Sequence, residues 1–220
     1  MKRDNPSHSA AQVESTTRRR PQQTRALARV ERILTAATEL IAEKGSDQVT
    51  LSELASRAGV TLGSLYQYFP DKSAIIRHLA EAALERVQAS LEAALADIAT
   101  PAEALDRTDA VLDGYYALFL SEPVMRDIWC GAQADKVLQE RDIADSRRNG
   151  ELAFAALSRF VSEDRHPGFA TSCFLMMQLT GAAIRMAVAV ERAEGDRLVE
   201  AYRVLIRAAL ADYLAGSPAA

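Results

Sequence analysis

Thr50-Leu-Ser-Glu-Leu-Ala-Ser-Arg-Ala-Gly-Val-Thr-Leu-Gly-Ser-Leu-Tyr-Gln-Tyr-Phe-Pro-Asp-Lys72 is the stretch on which the fold turns. Thr50 with Glu53 three residues later reads as a capping box, which opens a short helix through Ala58. Leu51, Leu54 and Ala55 lie on its inner face, and Gly59 ends it. Val60 fills the turn and Thr61 offers an N-cap hydroxyl. Leu62 to Phe69 then make another short helix, closed by Pro70-Asp71. Two short helices around a Gly-containing turn form a helix-turn-helix.

Upstream, apolar residues recur at helical spacing from Thr24: Leu27, Val30, Ile33/Leu34, Ala37 and Leu40/Ile41. That stripe predicts a first helix stopped at Lys44-Gly45. Residues 1–23 mix Ser, Thr, Gln, Pro and charge with almost no large apolar side chain, so they are expected to be a disordered arm carrying Arg18, Arg19 and Arg20. Downstream, long helices with short breaks are expected near 73–98, 102–120, 123–132, 136–162, 168–192 and 196–214. Pro101, Pro123 and Pro167 mark starts, and Gly131 and Gly195 mark stops. Helical spacing persists across Asn149-Gly150, which predicts one continuous helix there. The expected fold class is all-α: a three-helix N-terminal helix-turn-helix domain over 24–72 and a larger helical domain over 73–220.

Composition agrees with this fold and narrows the function. The 220 residues are 49% hydrophobic and 25% charged, with only ten Gly and seven Pro, the balance of a globular helical protein. The net charge of −4 is unevenly spread. Residues 1–72 hold 11 Lys/Arg against 8 Asp/Glu, and the remainder 15 against 22. A basic head on an acidic body suits nucleic-acid binding at one end. Two cysteines, Cys130 and Cys173, exclude a disulfide scaffold and fit a reducing cytoplasm. The polar N-terminus lacks a secretory core, and the apolar run Cys173–Val190 carries Gln178 and Arg185, so it reads as a buried helix rather than a membrane span. His8, His78 and His166 form no ligand cluster with cysteines or carboxylates, so no metal and no cofactor are expected. No Walker loop, GxGxxG, HExxH or GxSxG appears, and an enzyme is not expected.

The Ala58-Gly-Val-Thr61 turn, the Gly63-Ser-Leu-Tyr-x-Tyr-Phe69 helix and Lys72 together closely resemble the helix-turn-helix of the TetR family of bacterial regulators. In sequence the resemblance covers residues 24 to about 80. It implies a cytoplasmic, DNA-binding homodimer that sets two recognition helices in successive major grooves and responds to a ligand held in the C-terminal domain. The expected function is a transcriptional regulator, a repressor released from a palindromic operator by a small, mostly apolar molecule. The residues agree with that picture. Gly63 and Ser64 give the helix a small leading edge for close approach to double-stranded DNA. Gln67 suits bidentate pairing with adenine. Tyr66, Tyr68 and Thr61 match phosphate-contacting positions, and Lys72 and Thr50 lie near helix N-termini that attract phosphate. The structural alternatives are that the tyrosines cover the core, that Thr50 and Thr61 only cap, and that Lys72 is a solvated charge. Leu51, Leu54, Ala58, Val60, Leu65 and Phe69 should be core. Arg18–Arg20 would either reach the minor groove or form a solubilising tail.

In the larger domain the resemblance predicts a dimer interface from the last two helices, where small residues (Gly181, Ala182, Ala183, Ala187, Ala189) are followed by Leu198, Tyr202, Leu205 and Ile206. Ligand candidates are Tyr115, Tyr116, Phe119, Trp129, Phe154, Phe174, Gln178 and Arg185, with core packing as the alternative for each aromatic. Phe174, Gln178, Gly181 and Arg185 share one helix face. Arg185 has three possible partners: an anionic ligand, an acid of its own chain such as Asp113, or the partner subunit. Cys130 reads as a redox sensor or as a small buried hydrophobe. The rival functions are a ligand-independent regulator, or a helical small-molecule-binding protein that does not bind an operator.

Overall fold

The computed structural model describes the backbone of residues 10–132 and 136–215, and within them the side chains of 24–122, 124–127, 129 and 136–215. Those residues form an all-α fold: α1 Ala10–Lys44, α2 Leu51–Arg57, α3 Leu62–Tyr68, α4 Lys72–Leu95, α5 Pro101–Ser121, α6 Pro123–Ala132, α7 Lys136–Leu157, α8 His166–Ala189 and α9 Arg192–Leu214. No strand occurs among the described residues. The chain divides into two compact units, one ending at Ile75 and the other beginning at Ile76, within α4.

The first unit is built from local signals. Gly45 takes φ 82° after α1, and a 3-10 turn, Ser46–Gln48, leads to α2. The capping box expected at Thr50 is present: Glu53 N–H donates to Thr50 Oγ1 at 3.3 Å, and Thr50 N–H donates back to Glu53 Oε2 at 3.0 Å. Gly59, at φ 63°, closes α2. Its N–H donates to Ser56 O at 3.1 Å, and Val60 N–H donates to Ala55 O at 3.0 Å. That is the double bond pattern of a left-handed helix cap. Thr61 then accepts from Ser64 N–H at 3.1 Å and starts α3. Ile33, Ala37, Leu40, Leu54, Leu65 and Phe69 close the core. Leu51 and Val60 are half-buried, and Leu27 is 63% exposed, so the buried stripe of α1 starts later than the periodicity predicted.

Residues 10–23 differ from the expectation of disorder, because α1 begins at Ala10. That segment has no apolar stripe. Its Ala, Gln and Arg residues continue a helix already nucleated by the packed turns after Thr24, whereas Pro21 within it withholds a backbone hydrogen bond. The backbone of Arg18–Arg20 belongs to this helix; their side chains, and all of residues 1–9, lie outside the described residues.

In the second unit α8 is the central helix, packed on α5, α6, α7 and α9. One apolar cluster joins Ile98, Ala153, Leu157, Phe169, Cys173 and Leu210, each side chain of this size contributing about 1.5–3 kcal/mol when a Leu or Phe is fully buried. Along α5, Asp106, Asp109 and Asp113 face Arg203 and Arg207 of α9 as a ladder of ion pairs. Helix α7 runs unbroken through Asn149-Gly150 and ends at Leu157, short of the expected 162, in a 3-10 turn, Ser158–Phe160. Gly195 is not a helix stop. It lies in the first turn of α9, where a Cβ would sit 2.3 Å from Ala187 O, so its role is close approach to α8.

Candidate nucleic-acid interface and ligand cavity

The helix-turn-helix presents one polar face. Leu65 is fully buried, which turns Tyr66 and Gln67 to the outside of α3, with Tyr66 50% exposed. Ser64 and Tyr68 are half-buried at the flanks. A Cβ added at Gly63 would meet nothing within 4 Å, so no packing inside the chain asks for glycine there. A small residue at that point leaves the leading end of α3 open to a close approach from outside. Thr50 and Thr61 both act as caps and both remain exposed.

Lys72 is not a solvated charge. Its ammonium donates to the carbonyls of Ser46 at 2.8 Å and Asp47 at 3.2 Å, tying the start of α4 to the 3-10 turn. An ammonium carries three donors, so one remains beyond these two. Arg57 clamps α2 to α1 through Glu43 at 2.9 Å and Glu39 at 3.3 Å. Lys44 and the two Thr50 donors hold the Glu53 carboxyl down to about 2.

The second unit contains a cavity of about 430 Å³ among α4, α5, α7 and α8. Leu84, Val87, Leu91, Val111, Leu118 and Met177 supply its apolar wall. Asp142, Asp145, Ser146 and Asn149, at i, i+3, i+4 and i+7, supply a polar wall from one face of α7. Of the ligand candidates, Tyr115 lines this cavity. Its ring packs edge-on against Phe119, 5.1 Å between centroids, and burial pushes its hydroxyl pKa up.

The other candidates lie off the wall. Tyr116 is buried and donates to Asp196 Oδ1 at 3.0 Å. Trp129 is buried with its Nε1 unpaired. Phe154 packs against Phe169 and His166 in the apolar cluster, and Phe174 lies under the Arg147 guanidinium, 4.5 Å from the ring centroid. Gln178 Nε2 donates to Asp142 Oδ2 at 3.1 Å. Arg185 pairs with an acid of its own chain, Asp142 at 3.9 Å, whereas Asp113 is taken by Arg203. The charges on the α7 wall are therefore carboxylates, which sequence reading missed. Their polar stripe was the available signal, but Glu140, Arg141, Arg147, Arg148 and Glu151 on the same helix mask it.

Two family descriptions match the chain: "Bacterial regulatory proteins, tetR family" over residues 33–79 and "Tetracyclin repressor-like, C-terminal domain" over residues 102–214. This chain belongs to the TetR family. Members of that family are transcriptional regulators that bind DNA and small-molecule ligands, typically as dimers. A solved TetR-family transcriptional regulator from Streptomyces coelicolor is 26% identical, with a TM-score of 0.65, covering 86% of this chain and 99% of that one. Among curated relatives, the repressor BepR of Brucella suis is 37% identical over 79 residues, 36% of this chain and 38% of that protein. The regulator YvdT of Bacillus subtilis is 45% identical over 51 residues, 23% of this chain and 26% of that protein. The chain thus spans about a quarter to two-fifths of the length of these relatives.

In the TetR-family chain α8 is long and apolar enough to cross a membrane by length and composition. Its polar groups are engaged within the protein, Gln178 and Arg185 with Asp142 and Thr180 with Tyr202. Its outward side shows Leu175, Leu179 and Met186, spaced along one face, with Val190 exposed just past its end, and α9 shows Val204 and Leu205. Among the described residues no group of His, Cys, Asp and Glu could hold a metal ion. Cys173 is buried, which pushes its thiol up to about 12. The side chain of Cys130 lies outside the described residues.

Proposed function

We propose that this TetR-family regulator is a cytoplasmic repressor that binds a palindromic operator as a homodimer and leaves it when a small, mostly apolar molecule occupies the cavity. The carrying observation is that α3 buries Leu65 while presenting Tyr66 and Gln67 outward, behind a leading end that Gly63 keeps open. In this reading Gln67 reads a base edge, while Tyr66, Tyr68, Thr61, Ser64, Thr50 and the remaining donor of Lys72 hold phosphates. The homodimer is supported by the exposed apolar faces of α8 and α9, since contiguous apolar surface of this kind marks a protein interface. The cavity volume falls in the usual range of small-molecule sites, roughly 300–1,000 Å³.

The test is selection of binding sites from random duplex DNA by the purified protein. The expected result is one enriched palindrome whose binding is lost with Tyr66→Ala and changed in sequence with Gln67→Ala. No enrichment at low salt would leave a helical small-molecule-binding protein without an operator.

A further inference from the structure

The cavity holds an uneven set of charges. Asp142 is already engaged, by Gln178 Nε2 at 3.1 Å and Arg185 at 3.9 Å. Arg86, the one cation among the lining residues, is bound fork-to-fork by Glu122 at 3.0 and 2.8 Å. Asp145 is different. Its side chain is only 14% exposed, its Oδ2 is shut off from solvent without a hydrogen bond, and its ion pair with Arg141 Nε is long, 3.5 Å. Beside Asp142, Gln178 Oε1 is likewise buried without a donor. A buried acceptor without a donor is destabilising, the more so when it is charged. The orphan atom on the cavity wall itself is thus a carboxylate acceptor, so a ligand that satisfies it brings hydrogen-bond donors and positive charge.

Resting on the reading of this cavity as the effector site, we propose that its ligand is an apolar organic amine bound as the ammonium, with the N–H groups on Asp145 and the hydrocarbon body against Leu84, Val87, Val111 and Met177. The ring of Tyr115, on α5, also lines the cavity and supplies an aromatic surface suited to a cation. Burial raises the Asp145 pKa above the ordinary carboxylate range, a penalty that an arriving cation offsets. An acidic ligand, which Arg185 suggested from sequence, meets two carboxylates instead.

The test compares three probes with one skeleton: 4-phenylbutylammonium, 4-phenylbutan-1-ol and 4-phenylbutyrate. Binding to the full-length protein is measured by calorimetry at pH 7. The ammonium is expected to bind at least about tenfold more tightly than the alcohol, with the carboxylate weakest. Asp145→Asn, which keeps the shape and removes a buried charge, is expected to erase that preference while retaining alcohol binding and the thermal melt. Equal or tighter binding of the alcohol or carboxylate to the native protein, an answer that needs no variant, overturns the charge inference and leaves the cavity as a ligand site. Failure of all three probes to bind at millimolar concentration overturns both. Selective ammonium binding without release of operator DNA supports the chemistry of the site and removes only its role as the effector switch.

Discussion

At Gly150 the backbone of α7 lies so close to Phe174 that a Cβ built on the glycine would stand 2.7 Å from Phe174 Cα and 2.8 Å from its amide nitrogen. The obstacle is main chain of α8, which cannot swing aside as a side chain can. Gly150→Ala must therefore push the two helices apart, and a cost of about 1–3 kcal/mol is expected. Urea unfolding at 25 °C checks this; a stability gain, as expected for Ala in an unobstructed helix, would show that α7 and α8 are not in this contact.

Lys72 holds the carbonyls of Ser46 and Asp47 and is proposed to hold phosphate as well. Lys72→Gln should lower operator affinity on all sequences and reduce the salt slope of binding by about one. Gln67→Ala should instead leave the slope alone and lose about 1–3 kcal/mol of discrimination at one base pair. Affinities measured across a salt series separate the two.

The capping box gives a pH signature. Glu53 is held at about 2 in the fold, below its ordinary 4.5, so its contribution to stability is fully present above pH 4.5 and fades as pH falls toward 2. Thr50→Ala removes both Thr50 hydroxyl contacts and should cost about 1 kcal/mol. It should also move the Glu53 titration upward. Carboxyl chemical shifts followed through an acid titration report both effects.

Leu205 is 67% exposed and Leu175 52% exposed. Leu205→Glu or Leu175→Glu should leave the monomer fold intact and place a charge in the proposed dimer interface. Sedimentation equilibrium is expected to show a dimer for the native chain and monomers for these variants, with operator affinity lost in parallel.

Cys173 should resist alkylation in the native state, because burial keeps its thiol protonated up to about 12. Iodoacetamide labelling of Cys173, followed by mass spectrometry, should proceed at the unfolding rate and accelerate in urea.

The helix-turn-helix could be read from residues 50–72 because its signals act over three to six residues. Thr50 and Glu53 satisfy each other, Gly59 supplies the left-handed cap, and Thr61 meets Ser64, all within one turn of helix. Such contacts are fixed as soon as the local chain is, and sequence by itself determined them. So too did the Pro-marked starts of α5, α6 and α8. The cavity was different. Asp142 meets Gln178 and Arg185 across more than thirty residues of chain, and Gly150 and Gly195 leave no room for a Cβ because the main chain of α8 passes close to each. Spacing along α8 put Gln178 and Arg185 on one face but could not say which helix that face meets. Only the tertiary structure decided that Arg185 answers an acid of its own chain and that α7 turns two carboxylates to the cavity. Residue spacing describes one helix at a time, whereas a pocket exists only between helices.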